Sequence, residues 1–296
     1  MYDIQPMKTV FRSFRYLCLG LLLALVPMCT AAQTPDSTAT HTTDSLEAQL
    51  QASAEDGHRS AAIPASFRGV GDNVIQDFSE HLYPIFMALL DISEGEYLDS
   101  LRVMHIGDSH IRGHIYPQTF GQKLAGKFGA VRYRDLGING ATFSSYMRSD
   151  KLNSVYAWQP DLVIISFGTN EAYDTNYSPE RHYRQIDELV VALQENLPYT
   201  CLLFTTPAGC YLRGGRHNPN NERCAQTLIN YARDHGLAIY DLFAASGGPT
   251  QACSNWKRSG MMRPDGVHFT AEGYRTQGNM LFDAFIKAYE EALNDL

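Results

Sequence analysis

The stretch Val103 to Gly113 reads V-M-H-I-G-D-S-H-I-R-G. Its apolar run stops at Gly-Asp-Ser, the pattern of a buried strand that ends in a tight turn before a helix. Ser109 then sits between the carboxyl end of a strand and the amino end of a helix, where N–H groups and the helix dipole favour developing negative charge. A hydroxyl placed there is a candidate nucleophile if a base and anion-stabilising donors lie elsewhere in the chain. Asp265-Gly266-Val267-His268 offers the base. His268 can take the serine proton, and Asp265 can hold the other ring nitrogen and stabilise the imidazolium. Two further blocks, Gly137 to Thr142 and Phe167 to Glu171, follow the next apolar runs. Taken singly, Ser109 reads equally well as a helix N-cap and Asp265–His268 as a capping pair.

In chain order the four blocks read G-D-S, G, G-x-N and D-x-x-H. This set resembles the SGNH hydrolases, also called GDSL esterases, over roughly residues 70–290. The resemblance implies a flavodoxin-like three-layer α/β/α fold with a parallel five-stranded sheet. It implies a Ser109–His268–Asp265 triad acting through an acyl-enzyme, with no cofactor. It also implies an oxyanion hole made by the N–H groups of Ser109 and Gly140 and the side-chain amide of Asn170. Glycine at 140 lets backbone approach a substrate with no Cβ in the way. I-G-D-S-H-I, G-I-N-G-A-T and D-G-V-H-F-T with Gly273-Tyr274 resemble an exported branch related to peptidoglycan O-acetylesterases. Members of that branch often carry a β-rich insert before the second block, whereas here only about a dozen residues separate Phe128 from Gly140. The resemblance points to removal of O-acetyl groups from a cell-envelope or dietary polysaccharide. Lipase or thioesterase action, acyl transfer to a sugar hydroxyl, and non-catalytic glycan binding are the alternatives.

The elements that must position these blocks alternate. Apolar spacing predicts a helix over Asn73 to Ser93, then the strand into Ser109, then a helix over Tyr116 to Phe128 ended by Gly129. Strands are expected at Val131–Leu136, Asp161–Phe167, Thr200–Thr205 and Ala238–Phe243. Helices are expected at Pro179–Asn196, Asn221–His235 and Thr270–Leu293, with Ala141–Trp158 mixed. Continuous apolar strands alternating with helices imply an α/β domain whose parallel sheet is covered on both faces. Such sheets bind ligands beyond the carboxyl ends of their strands, where Ser109, Gly140 and Asn170 all fall.

Residues 1–32 read as a secretory signal: Lys8, Arg12 and Arg15 precede an apolar run from Leu17 to Val26, followed by Thr30-Ala31-Ala32. The chain is therefore expected to be periplasmic or secreted. A membrane enters only through an uncleaved N-terminus, or one lipidated at Cys29. Residues 33–65 read as a Ser/Thr/Ala-rich tether, and 66–296 as the hydrolase domain. The net charge of −8 and the lack of any basic run or zinc spacing give no support for nucleic-acid binding. Cys201, Cys210, Cys224 and Cys253 remain after the signal. A Cys210–Cys253 bridge is expected, with Cys210–Cys224 and no bridge as alternatives.

Two loops form the expected rim. Gly209 to Arg223 carries Arg213 and Arg216, and Ala244 to Pro264 carries Trp256, Arg258 and Arg263. The arginines are placed to receive a substrate carboxylate and Trp256 to stack on a sugar ring, against a plain solvated surface. His110 and His114 stand four apart without a third ligand nearby, so no metal site is read there. Asp108 reads as a structural acceptor of backbone N–H groups and His105 as a hydrogen-bonded core histidine.

Overall fold

The computed structural model describes residues 60, 62–96 and 99–294. The expected signal peptide and most of the tether lie outside these residues. Six strands form one sheet: β1 (Ile75–Asp77), β2 (Leu101–Gly107), β3 (Val131–Gly137), β4 (Leu162–Ser166), β5 (Cys201–Thr205) and β6 (Ala238–Tyr240). Their order is β1-β6-β5-β4-β2-β3. The last five strands are mutually parallel, and β1 alone is antiparallel, paired with β6. The five parallel strands thus follow the flavodoxin-like order, which reverses direction of winding between β2 and β4. These are the five parallel strands expected, and β1 adds an antiparallel sixth at the β6 edge.

Side chains alternate between two apolar layers, as strand geometry requires. Leu101, Val103, Leu162, Ile164, Leu203 and Tyr240 face one layer. Met104, Ile106, Val163, Ile165, Leu202 and Ile239 face the other. The first layer is covered by α1 (Tyr83–Glu94), α3 (Ile115–Phe128) and the closing helix α11 (Ala271–Asn294). The second is covered by α4 (Phe143–Met147), α5 (Asp150–Trp158), α7 (Pro179–Asn196) and α8 (Asn220–Asp234). Short helices α2 (Ser109–Arg112), α6 (Thr169–Tyr173) and α9 (Leu242–Ala245), with α10 (Gly248–Arg258), line the carboxyl end of the sheet. Among the described residues no helix is long and apolar enough to cross a membrane.

The helix expected over Asn73 to Ser93 is split into β1 and α1. Asp77 is the cause: its carboxylate accepts the N–H groups of His81 at 2.7 Å and Leu82 at 2.8 Å, closing a turn in which Glu80 takes a φ of 52°. The helix starts only where Pro84 fits its first turn. The tether ends earlier than expected too, since Ser60 and Ile63 are buried. Ser60 and Asn73 both donate to Asp283 on α11, and Tyr240 donates to Asn73 Oδ1 at 2.7 Å. The strand expected over Ala238 to Phe243 stops at Tyr240, because Asp241 caps α9 through the Ala244 N–H.

Candidate active site

Strand β2 ends at Gly107, and Asp108 caps the four-residue helix that follows by accepting the His110 N–H at 2.9 Å. Ser109 is therefore the first helical residue rather than the cap, and its hydroxyl is free to look outward. So short a helix carries little macrodipole. An anion at Ser109 would therefore be met by individual N–H donors rather than by the dipole the sequence suggests.

The structure brings the block residues together beyond the carboxyl ends of β2, β3 and β4. Ser109 Oγ lies 3.0 Å from His268 Nε2, and His268 Nδ1 lies 2.9 Å from Asp265 Oδ2. With Nδ1–H donating to the carboxylate, Nε2 keeps its lone pair for the serine proton. The other oxygen of Asp265 accepts the N–H groups of Val267 and His268, both at 2.9 Å. Partial burial alone would raise the Asp265 pKa, but these donors and the His268 ring outweigh it and hold the carboxyl below its ordinary value. The Arg263 N–H donates to His268 O at 2.8 Å beside the antiparallel Met262–Phe269 bridge, which ties down the loop carrying the base.

Gly140 is exposed at a φ of 70°, and beyond its chain neighbours no atom lies within 4 Å of where a Cβ would stand, so nothing crowds this turn. Asn170 is the second residue of α6, just past the turn that follows β4. Its Nδ2 donates to Ala141 O at 2.8 Å, and lies 3.4 Å from Asp108 Oδ2. The second distance exceeds an ordinary N–H···O bond, so one amide N–H is firmly held and the other only loosely. Two buried carboxyls flank this amide. Burial, aided by Glu171, pushes Asp108 up to about 8 against the pull of the His110 N–H. Burial pushes Glu171 up to about 7 against donors led by the Phe143 N–H.

His110 lies under the base, its ring 5.4 Å from that of His268. Its Nδ1 is 3.1 Å from Tyr274 Oη, and burial, with His268 nearby, lowers its pKa to about 3, so it stays neutral. Its Nε2, Tyr116 Oη and Gln277 Nε2 are buried without a protein partner and line one cavity of about 20 Å³. That volume and those polar walls suit a single water. His114, on the N-terminal flank of α3, pairs instead with Asp135 on β3, so the two histidines serve different neighbours. His105 bonds Tyr133 Oη and Ser166 Oγ, both at 2.7 Å, inside the sheet.

The open cleft over Ser109 is lined by Arg112, Asn139, Arg263, His268 and Tyr274. Of these, Arg112 and Asn139 went unremarked in the sequence. The signal was there for Arg112, which follows Ser109 by three residues and so shares its helical face. The expected rim differs. Trp256 cannot stack on a sugar: it is fully buried between Phe67 and Phe269, with ring centroids at 4.8 and 5.2 Å. Arg258 is exposed but bonded to Gln251 and Ser254 on its own helix. Arg213 and Arg216 are exposed on a turn closed by the Leu212–Arg216 bridge, and neither lines the Ser109 cleft.

The expected Cys210–Cys253 bridge is not formed, and all four described cysteines are free thiols. The Asn221 carboxamide engages both, accepting from Cys210 Sγ and donating to Cys253 Sγ, each at 3.5 Å.

The profile of the GDSL-like lipase/acylhydrolase family matches residues 105–276, a span holding every block residue described above. Among solved structures, a peptidoglycan O-acetylesterase is similar with a TM-score of 0.67 at 16% identity, over 73% of this chain and 99% of that one. A lipase/acylhydrolase from Enterococcus faecalis is similar with a TM-score of 0.51 at 21% identity, over 63% of this chain and 95% of that one. At such identities the likeness speaks for the fold. No curated protein matches the chain.

Proposed function

Because the chain belongs to the GDSL-like lipase/acylhydrolase family, we propose that it is an exported serine esterase that removes short acyl groups, acetyl above all, from a cell-envelope or dietary polysaccharide. The observation that carries this reading is the unbroken line Ser109 Oγ–His268 Nε2, His268 Nδ1–Asp265 Oδ2, with bonds of 3.0 and 2.9 Å. Ser109 attacks the ester carbonyl while His268 takes its proton. The oxyanion is received by the N–H groups of Ser109 and Gly140 and by the loosely held N–H of Asn170. A protonated Asp108 competes weakly for that amide, because a neutral carboxyl attracts a donor less than a carboxylate does. His268 returns the proton to the departing sugar hydroxyl. Water, deprotonated by His268, then attacks the acyl carbon of acyl-Ser109, and as the acid leaves His268 returns that proton to Ser109 Oγ.

One neighbour in fold is a peptidoglycan O-acetylesterase, which makes O-acetylated glycans the first substrates to try. The signal-like residues 1–32 support export to the periplasm or beyond. The test is acetate release from O-acetylated peptidoglycan and from acetylated xylan by the chain from Gln33 onward, beside Ser109→Ala. Release that the variant loses supports the reading, and the preferred polymer identifies the substrate. Equal release by the variant, or none from any ester, refutes it.

A further inference from the structure

Two guanidinium groups stand over the candidate nucleophile in a protein whose net charge is −8. Arg112 follows Ser109 on the same short helix, and Arg263 belongs to the loop that carries His268. Among the described residues neither is paired with a carboxylate. Two acids of this region are already committed. Asp265 is held by His268 and two N–H groups, and Asp135 is held by His114.

Arg112 is also braced. Its Nη1 donates to His114 Nε2 at 2.8 Å, and His114 Nδ1 bonds Asp135, whose side chain is only 6% exposed on β3. Nε2 can accept only with its lone pair free, so the ring must donate from Nδ1 to Asp135. The result is a relay from a buried carboxylate to an exposed guanidinium. His114 holds this position at a φ of 65°, a conformation that costs a residue with a Cβ and persists where surrounding contacts impose it. Arg263 is fixed by its main-chain bond to His268 O and by the Met262–Phe269 bridge next to it. Both cations thus hang from ordered backbone and converge on one cleft. A planar carboxylate is the group that guanidinium forks recognise with two parallel bonds.

Resting on the esterase reading above, we infer that Arg112 and Arg263 form a carboxylate-binding subsite, so that the preferred substrates are esters on a sugar that carries its own carboxylate close to the acyl group. Uronic acids and lactyl-ether amino sugars share that chemistry. The subsite determines specificity and takes no part in proton transfer.

Two matched pairs of O-acetylated sugars separate these sources. One is methyl galactoside against methyl galacturonoside, and the other is N-acetylglucosamine against N-acetylmuramic acid. The purified protein should show a higher kcat/KM for the charged member of at least one pair, and the pair that shows it names the source. Added salt should shrink the difference. Arg112→Gln and Arg263→Gln should each cut the charged-to-neutral ratio about tenfold or more, chiefly through KM, as expected for loss of a charge-assisted hydrogen bond. Both residues are exposed, so a thermal melt will show that the variants fold. His114→Gln, which keeps Arg112 but removes its relay to Asp135, should lower the ratio part of the way. Equal kcat/KM within both pairs, or a preference that survives both arginine variants, overturns the subsite while Ser109-dependent hydrolysis of the neutral esters leaves the esterase reading standing. No cleavage of any of the four sugars overturns both.

Discussion

Replacing Gly137 by alanine should disable the site from behind, through a strand residue that itself meets no substrate. Gly137 ends β3 and pairs in register with Gly107, two residues before Ser109. A Cβ there would lie 2.1 Å from Arg112 N, 2.7 Å from Arg112 Cα and 2.7 Å from Asp108 O. Two of these atoms make the 2.9 Å bond Arg112 N–H to Asp108 O that closes the turn carrying Ser109. A methyl group would therefore land on that hydrogen bond. Cβ atoms essentially never come within 3.0 Å of such neighbours, so strand and turn must part by roughly 1 Å. Misplacement on that scale costs about 10²-fold in turnover. Overpacking of this kind costs about 1–3 kcal/mol, and for a domain of this size each kcal/mol lowers Tm by roughly 2–4 °C. The assay is steady-state hydrolysis of a short p-nitrophenyl ester with a parallel thermal melt. The control is Gly126→Ala on the exposed face of α3, where a Cβ meets nothing within 4 Å. That change should leave kcat alone and hold or raise Tm, since alanine favours a helix interior by roughly 0.5–1 kcal/mol over glycine. A folded Gly137→Ala protein with kcat within about threefold of the parent would refute the argument that β3 holds the nucleophile turn in place.

Three more outcomes can be checked. Asn170→Ala should lower kcat by about 10²–10³ with a smaller change in KM, the usual loss for one oxyanion donor, and an unchanged kcat would remove Asn170 from that role. Glu171 is raised from 4.5 to about 7 in the fold, so the stability its neutral form contributes is complete below about 4.5 and is lost as pH rises through about 7, a difference of about 3 kcal/mol. Glu171→Gln should accordingly flatten the fall in Tm between about pH 5 and 8, and an identical slope in the variant counts against the buried neutral acid. The four buried thiols should ignore a thiol reagent in the native protein and should all react in denaturant without prior reduction, whereas a lower count before reduction would reveal a bridge.

The sheet was legible in the sequence because β2, β4 and β5 lie between two apolar layers and so read as continuous apolar runs. Ser109, Asp265 and His268 were legible because their residue types stand at element ends, where side chains can converge. What escaped the sequence has particular physical causes. Val74 and Phe78 mimic helical spacing, and only the bonds from Asp77 to the following N–H groups break the run. Trp256 sits among basic residues and looks like rim. Its helix nonetheless turns Ala252, Cys253 and Trp256 inward, and that i, i+1, i+4 spacing was available to read. Asn218, Asn220 and Asn221 look like surface polar residues of a loop, yet all three are buried. The first two bond Ala172 O and the third Cys210 O, anchoring the loop to α6 and to itself. The Arg112–His114–Asp135 relay joins two elements through a strained histidine, a conformation no spacing rule encodes.

The order of strands also bears on how copies of this chain treat one another. A parallel sheet must end in two rims of unpaired backbone, and such rims invite strand-by-strand association between molecules. Here one rim is closed by β1, whose three residues run against β6 and leave too short an edge to template a further strand. The other rim is β3, where Arg132 and Arg134 alternate outward along the strand and the second lies 5.0 Å over the Trp158 ring. An incoming strand would have to bury those charges to add itself. Crowded refolding therefore meets one edge that is short and one that is charged, and Arg132 and Arg134 are the residues whose replacement by valine would make the second easier to extend.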